Sequence, residues 1–191
     1  MRIVGGRLKG RALATPKDER VRPTSDRVRE AVFNILDHGI EDFAVTGAHV
    51  LDLFAGTGAL GVEALSRGAA QCVFVENTAA SRALIQENIS TLGLGGVATI
   101  FRRSALDLGA ASRRASFNLV FADPPYGAGH GEAAIRSAVD GGWLADGAVI
   151  VLEESAAAEI NWPAGCQEID RRRYGQTQIT IGRYRAGGTL I

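Results

Sequence analysis

The residues best suited to do chemistry are Asp123-Pro124-Pro125-Tyr126. Proline has no amide hydrogen, and a following proline forces its neighbour into an extended conformation. The Pro124 carbonyl is therefore presented outward, free of any strand ladder. Asp123 supplies a second acceptor. Two such acceptors can hold both N–H groups of a conjugated amino group and aim its lone pair at an electrophilic methyl. Orientation of that kind matters, because an amino group conjugated to a purine is a poor nucleophile. A carboxylate beside the nitrogen also stabilises the positive charge that grows there. Tyr126 offers a flat face on which a base can stack. The plainer reading of Asp-Pro-Pro is a turn that ends a strand.

A second run, Asp52-Leu53-Phe54-Ala55-Gly56-Thr57-Gly58-Ala59-Leu60-Gly61, carries glycines spaced to let a backbone approach a ligand closely. The pattern Gly56-x-Gly58-x-x-Gly61 also matches the dinucleotide fingerprint. Glu76, twenty residues after Gly56, can accept hydrogen bonds from two ribose hydroxyls. The glycines and Glu76 thus fit NAD and S-adenosylmethionine equally. Asp52 shifts the balance. A pyrophosphate at a helix N-terminus wants N–H donors and no carboxylate, whereas an ammonium and a sulfonium are attracted by an acid. Asp52 could also simply hold the glycine turn.

Strands and helices must alternate to place these runs together. Residues 48–54, 71–76, 97–102, 117–122 and 148–152 read as buried strands, and 58–67, 78–93 and 131–141 as helices. Two late strands, 166–174 and 177–185, flank Gly175 as a hairpin that would add antiparallel strands at one edge. The alternation implies a parallel sheet wound on both faces, with the glycine run, Glu76 and Asp123 at the strands' carboxyl ends. Residues 1–14 read as a short hairpin, and 16–23 as a polar loop. Thr24 or Ser25 caps a helix reaching about His38, with Val28, Val32, Ile35 and Leu36 on one stripe and Arg27 and Arg29 largely off it.

The chain of 191 residues suits one domain, with 1–38 as an extension and 48–191 as the core. Its net charge of zero hides a pattern. Residues 1–30 hold nine Arg or Lys against four Asp or Glu, and 171–185 hold five Arg and no acid. The intervening 31–170 hold seven basic and seventeen acidic groups. Basic ends on an acidic middle suggest a polyanionic partner, although a run such as Arg171-Arg172-Arg173 is more often a solvated strand face, with phosphate contact the sharper alternative. No run approaches the roughly 20 apolar residues of a membrane span, and the start lacks the apolar run of a secretion signal. Cys72 and Cys166 stand apart, and His38, His49 and His130 are isolated, so neither a disulfide nor a metal site is expected. A reducing cytoplasm is the default location. Trp143 and Trp162 read as packing residues.

The sequence resembles the bacterial 16S ribosomal RNA guanine-N2 methyltransferases, the RsmD-like family, over nearly its whole length. The resemblance lies in Arg2-Ile3-Val4-Gly5-Gly6-Arg7-Leu8-Lys9-Gly10-Arg11, in Arg22-Pro23-Thr24-Ser25-Asp26-Arg27-Val28-Arg29-Glu30 with Phe33-Asn34, in Asp52–Gly61 with Glu63–Gly68, in Asp123–Tyr126 and in Tyr174-Gly175. It implies an α/β class I S-adenosylmethionine-dependent methyltransferase fold, Rossmann-like. The sheet would be mostly parallel and seven-stranded, with an N-terminal hairpin and helix extension. It implies transfer to the N2 amino group of one guanine in 16S RNA, on the 30S subunit or its assembly intermediate. The chain is expected to act as a monomer.

By that resemblance Asp52, Phe54, Gly56, Gly58, Glu76, Ser104, Thr24 and Arg29 contact the cofactor. Asp123, Pro124, Pro125 and Tyr126 hold the acceptor, and Arg2, Arg7, Lys9, Arg11 and Arg22 meet RNA. Many class I enzymes place an Asp after the third strand to hold adenine. This chain has Ser104 there, with Asp107 three residues on.

Other readings remain on the table. An adenine-N6 DNA or RNA methyltransferase can carry the same four residues, but it must flip its base from a duplex and usually brings a recognition domain. A protein glutamine methyltransferase leaves the basic ends without a purpose. An RNA-binding ribosome assembly factor would not need an intact Asp123. An NAD oxidoreductase leaves Asp123–Tyr126 without a purpose.

Overall fold

The computed structural model describes residues 1–16, 26–112 and 116–187. The expected loop at 16–23, with its cap at Thr24 or Ser25, and the site residues Arg22 and Thr24 lie largely outside these, only Pro16 being described.

After a 3-10 turn at Gly6–Leu8, the elements in chain order are α1 (Asp26–His38), β1 (His49–Leu53), α2 (Ala59–Ser66), β2 (Gln71–Val75), α3 (Ala79–Leu92), β3 (Ala98–Phe101), β4 (Phe117–Ala122), α4 (His130–Asp140), β5 (Leu144–Ser155), β6 (Cys166–Tyr174) and β7 (Thr177–Tyr184). The strands form one seven-stranded sheet in the order β3-β2-β1-β4-β5-β7-β6. The first five run parallel, and β7 is antiparallel to both of its neighbours. It follows that β6 runs with the parallel set and β7 alone is reversed. The late hairpin therefore adds one antiparallel strand, not two. The reason is burial. Residues Gln178–Gly182 of β7 are covered, whereas β6 alternates and ends in exposed arginines. The more apolar strand takes the inner position and the polar one takes the edge, as edge strands generally require.

Successive strand residues feed two cores. Val50, Phe74, Phe121, Val151 and Ile181 pack with α1, α2 and α3 through Val32, Phe33, Leu65 and Ile85. Leu51, Leu53, Val75, Val120, Ile150 and Leu152 pack with Ala134, Ile135 and Ala138 of α4. Central strands covered on both faces read as continuous apolar runs for this reason. Trp143 lies in the second core against the rings of Phe101 and Phe117, with centroids 5.5 and 6.0 Å away. No helix among the described residues is long and apolar enough to cross a membrane.

The N-terminal hairpin is present in a narrow form. A single antiparallel bridge joins Arg2 to Ala12, flanked by Ile3 N–H to Arg11 O at 3.0 Å and Leu13 N–H to Met1 O at 3.2 Å. The 3-10 turn inside it leans on α2. Ser66 Oγ accepts the Leu8 amide at 3.0 Å and donates to Gly5 O at 2.6 Å. Gly6 has φ +72°, and a Cβ there would stand 2.0 Å from the Ser66 carbonyl oxygen, so only glycine fits.

The α1 stripe is shifted from the sequence expectation. Arg29 is fully buried beside Val32, Phe33 and Leu36, while Val28 and Ile35 are half-covered. Its Nη2 donates to Asp26 Oδ1 at 2.8 Å and to the Arg2 carbonyl, and its Nε lies 3.6 Å from Glu63 Oε2. Glu63, buried in α2, also accepts the Val4 amide at 2.9 Å and Arg67 Nε at 2.9 Å. A buried charge needs such partners. Arg29 thus lies on the packed face of α1, held by an acid more than thirty residues away.

Candidate active site

The glycine turn follows β1 directly. Phe54 has φ +58°, Gly56 +57° and Gly58 +77°, a left-handed sequence that turns the chain sharply off the sheet. A non-glycine residue such as Phe54 there holds strain. Gly58 is the N-cap of α2 and has no side chain to cap it. Asp52 does the capping from β1, its Oδ2 accepting the Gly61 amide at 3.0 Å. Gly61 has no room for a side chain, since a Cβ would meet the Phe74 ring at 2.4 Å and Cys72 Sγ at 2.6 Å. The helix N-terminus is therefore drawn tightly onto the sheet.

Asp52 is 2% exposed, and its carboxyl is pushed up from 3.8 to about 7. Burial is the main cause, the nearby Glu76 adds to it, and the Gly61 amide opposes both. Such an acid gains most from a cation placed beside it.

Glu76 directly follows β2, and Glu76 Oε2 accepts the Gly56 amide at 3.0 Å. Its Oε1 accepts the Thr78 amide at 2.8 Å and the Thr78 hydroxyl at 2.9 Å. The carboxylate is thus locked in orientation. Thr78 is the N-cap residue of α3; its hydroxyl donates to Glu76 and makes no side-chain cap bond of its own.

A cavity of about 220 Å³ opens beside Glu76. Phe54, Glu76, Ser104 and Pro125 line it together with Asn77 and Leu106. It joins the carboxyl ends of β1, β2 and β3 to the Asp123–Tyr126 loop. Its size is below the roughly 300 Å³ at which whole-ligand pockets begin, room for part of a nucleoside-sized ligand. Asp107, three residues beyond Ser104, lines a different groove of about 540 Å³ against Arg136 and Asp140 of α4. That groove is larger, but it holds no residue of the glycine turn or of Asp123–Tyr126, so volume does not select the site.

Asp123 follows β4 and is half-buried, Pro124 is buried, and Pro125 and Tyr126 are exposed. The Tyr126 hydroxyl donates to Glu153 Oε1 at 2.7 Å and lies 3.1 Å from Thr177 Oγ1. Burial, with Glu153 and Asp123 beside it, holds the phenol proton well above its usual range.

The structure brings Phe54, Gly56, Gly58, Glu76, Ser104 and Pro125 to one end of the sheet, with Asp52 beneath. Arg29 is not among the cavity's lining residues; it sits with Asp26, Arg2 and Glu63. Arg2, Arg7, Lys9 and Arg11 are all exposed on the N-terminal segment. Arg2 and Arg11 each donate to a backbone carbonyl, of Gly10 and Thr91 respectively. Arg171 and Arg172 are paired within their own strand, with Glu168 at 2.7 Å and Asp170 at 3.1 Å, which favours the solvated-face reading of that run.

Sequence reasoning missed Asn88. It is 2% exposed; Asn88 Oδ1 accepts the Ala14 amide at 2.7 Å, and Asn88 Nδ2 donates to Thr57 O at 3.0 Å. It ties the end of the N-terminal segment to the glycine turn. A polar residue on the apolar stripe of a helix was the available signal. Glu153 and Glu154, two acids ending a buried apolar strand, were likewise passed over. Among the described residues no cluster of three His, Cys, Asp or Glu could hold a metal.

A family model described as Conserved hypothetical protein 95 matches residues 1–183. The chain is 42% identical over 153 residues to Ribosomal RNA small subunit methyltransferase D of Escherichia coli strain K12, covering 80% of this chain and 74% of that protein. It is 36% identical over 155 residues to the protein of the same name from Haemophilus influenzae, covering 80% and 78%. Among solved structures, yhhF from Escherichia coli superposes with a TM-score of 0.82 at 36% identity, over 97% of this chain and 98% of that one.

Proposed function

The chain belongs to the Conserved hypothetical protein 95 family, with the RsmD methyltransferases among its relatives, and on that premise we propose that it methylates the exocyclic N2 amino group of a guanine in 16S ribosomal RNA. It is an S-adenosylmethionine-dependent methyltransferase of class I fold. The observation that carries the finer reading is that Pro125 lines the same cavity as Glu76 and Ser104. The loop suited to hold an amino group and the pocket suited to a nucleoside therefore share one crevice.

The residues fit the cofactor. When bound, S-adenosylmethionine supplies an electrophilic methyl on a sulfonium. In this reading the buried Asp52 carboxyl, by ionising, offsets the positive charge of the ligand's methionine part. Gly56 and Gly58 keep that path free of side chains. Glu76 has roughly four acceptor positions as a carboxylate; three take protein donors, and the one left would accept a ribose hydroxyl, one rather than two. Phe54 and Ser104, which line the cavity, would hold the adenine. By resemblance Thr24 and Arg29 would contact the cofactor, Arg29 by way of the Arg2 segment that it holds.

Asp123 and the Pro124 carbonyl accept the two N–H groups of the guanine amino group and hold its lone pair toward the methyl. As the nitrogen takes the methyl and becomes positive, Asp123 would stabilise that charge. The surplus proton leaves by way of Asp123 or water. Tyr126 stacks on the base. The exposed cations Arg2, Arg7, Lys9 and Arg11, with Arg22, contact phosphates of the RNA, whose partner state is the 30S particle or its assembly intermediate. The enzyme acts as a monomer in the cytoplasm.

The test is to incubate the protein with labelled S-adenosylmethionine and 30S particles, naked 16S RNA or duplex DNA, and to map the modified base. Label in N2-methylguanine of the RNA is expected. Label only in DNA adenine would replace the acceptor, and cofactor binding with no labelled acceptor would favour a ribosome assembly factor.

A further inference from the structure

The carboxyl end of β5 carries two buried acids in succession, Glu153 at 7% exposure and Glu154 at 2%. Neighbouring strand residues point to opposite faces of a sheet. Both nonetheless reach the Asp123–Gly127 loop, each from its own side. Glu153 Oε1 accepts the Tyr126 hydroxyl at 2.7 Å. Thr177, at the start of β7, brings its Oγ1 within 3.1 Å of the same phenol oxygen. The single phenol proton goes to Glu153, so the Thr177 hydroxyl is the donor to Tyr126. Glu154 Oε1 accepts the Gly127 amide at 3.1 Å and the Ser155 amide at 2.7 Å. Behind them the buried Gln178 donates to the carbonyls of Ser155 and Ala158 at 2.9 and 2.7 Å, which secures the strand end that carries both acids.

We propose that Glu153 and Glu154 are positioning residues that clasp the acceptor loop, Glu153 with Thr177 fixing the plane of the Tyr126 ring on which the target base stacks, and Glu154 fixing the turn that follows it. This rests on the reading of Asp123–Tyr126 as the loop that holds the acceptor. Tyr126 is 48% exposed, so packing on one face leaves its ring free to rotate about two torsions. Tethering its far tip to β5 and β7 together removes that freedom. A base stacked on the ring turns with it, and the amino group at the base's edge moves furthest. The neutral phenol keeps its proton through the working pH range, so the tether persists.

The experiment compares Tyr126→Phe, Glu153→Ala, Glu153→Gln, Thr177→Val and the double variant Y126F/E153A in the full-length chain. Steady-state kinetics on acceptor RNA are expected to show kcat lowered roughly 10- to 100-fold in Tyr126→Phe and Glu153→Ala, the scale of a small misplacement. KM for RNA and cofactor affinity stay at wild-type values. Glu153→Gln keeps an acceptor oxygen and recovers most of kcat. The double variant is no slower than the worse single one, because both cut the same tether. A wild-type kcat in Glu153→Ala, additive losses, or Glu153→Gln as slow as Glu153→Ala would each overturn the clasp; the last would assign the effect to charge.

A second readout needs no substrate. With 3-fluorotyrosine at the three tyrosines, the Tyr126 fluorine signal, identified by its absence in Tyr126→Phe, shifts in Glu153→Ala and in Thr177→Val. An unmoved signal in both refutes the tether. If the wild-type chain labels no nucleic acid, the acceptor reading fails, and the fluorine signal still decides whether the tether exists.

Discussion

Asp52→Asn should change how stability depends on pH, and the size of the change follows from where the acid sits. Asp52 is buried beneath the glycine turn, and its carboxyl is raised from 3.8 to about 7 in the folded chain. Below about pH 4 both folded and unfolded chains hold the proton. Between about pH 4 and pH 7 only the folded chain holds it, so stability falls as pH rises and the contribution is lost by about pH 7. At about 1.4 kcal/mol for each pH unit, the loss reaches roughly 4 kcal/mol. That is a large share of the roughly 5–15 kcal/mol of a typical domain.

Asparagine keeps the size and can still accept the Gly61 amide, but it does not titrate. Urea unfolding of both proteins from about pH 4 to pH 7.5 should show the variant gaining on the wild type as pH rises. Other titrating groups are common to both and cancel in the difference. A cationic ligand reverses the effect by favouring the ionised acid, so S-adenosylmethionine should bind with proton release near pH 6.5. Calorimetry in two buffers of different ionisation enthalpy reads that release, and it should vanish in Asp52→Asn. Parallel stability curves for the two proteins would refute the reasoning.

Asp123→Ala should lower kcat by about 10²–10³, the scale of a lost charge-stabilising group, while equilibrium dialysis shows cofactor affinity retained; wild-type-like turnover would sink the mechanism. Gly61→Ala must displace Phe74 or Cys72 and should cost about 1–3 kcal/mol in chemical denaturation; an unchanged midpoint would mean that α2 yields freely. Replacing Arg2, Arg7, Lys9 and Arg11 together by Ala should weaken RNA binding and reduce the slope of log K against log salt by about 3. An unchanged slope would show that these cations face away from the RNA.

Much of the site was legible in the chain because its chemistry is local. A glycine run after a buried strand, an acid ending the next strand, and two prolines closing a third are each set by backbone conformations within a few residues. The strand ends at Ala122 and Val75 fell where these signals put them, or within one residue of it. The glycine turn, Glu76 and the Asp123–Tyr126 loop could be placed at one edge before any coordinates, because a wound parallel sheet brings its strands' carboxyl ends together.

Tertiary structure decided what depends on neighbours far along the chain. Whether β6 or β7 lies at the edge depends on which strand's side chains can be covered, and only the packed sheet settles that. Arg29 reads from spacing as lying largely off the apolar stripe of α1, and only Glu63 and the Arg2 carbonyl, brought from elsewhere in the chain, allow it to be buried. Asn88 gained its purpose when Ala14 and Thr57 arrived beside it. Asp123-Pro124-Pro125-Tyr126 could be read as an amino-group holder from its residues alone. That its tyrosine is tied to Glu153 and Thr177, 27 and 51 residues onward, follows only from strands meeting in space. Local covalent geometry is written in adjacent residues, whereas burial and the pairing of polar groups are sums over whatever the fold brings near.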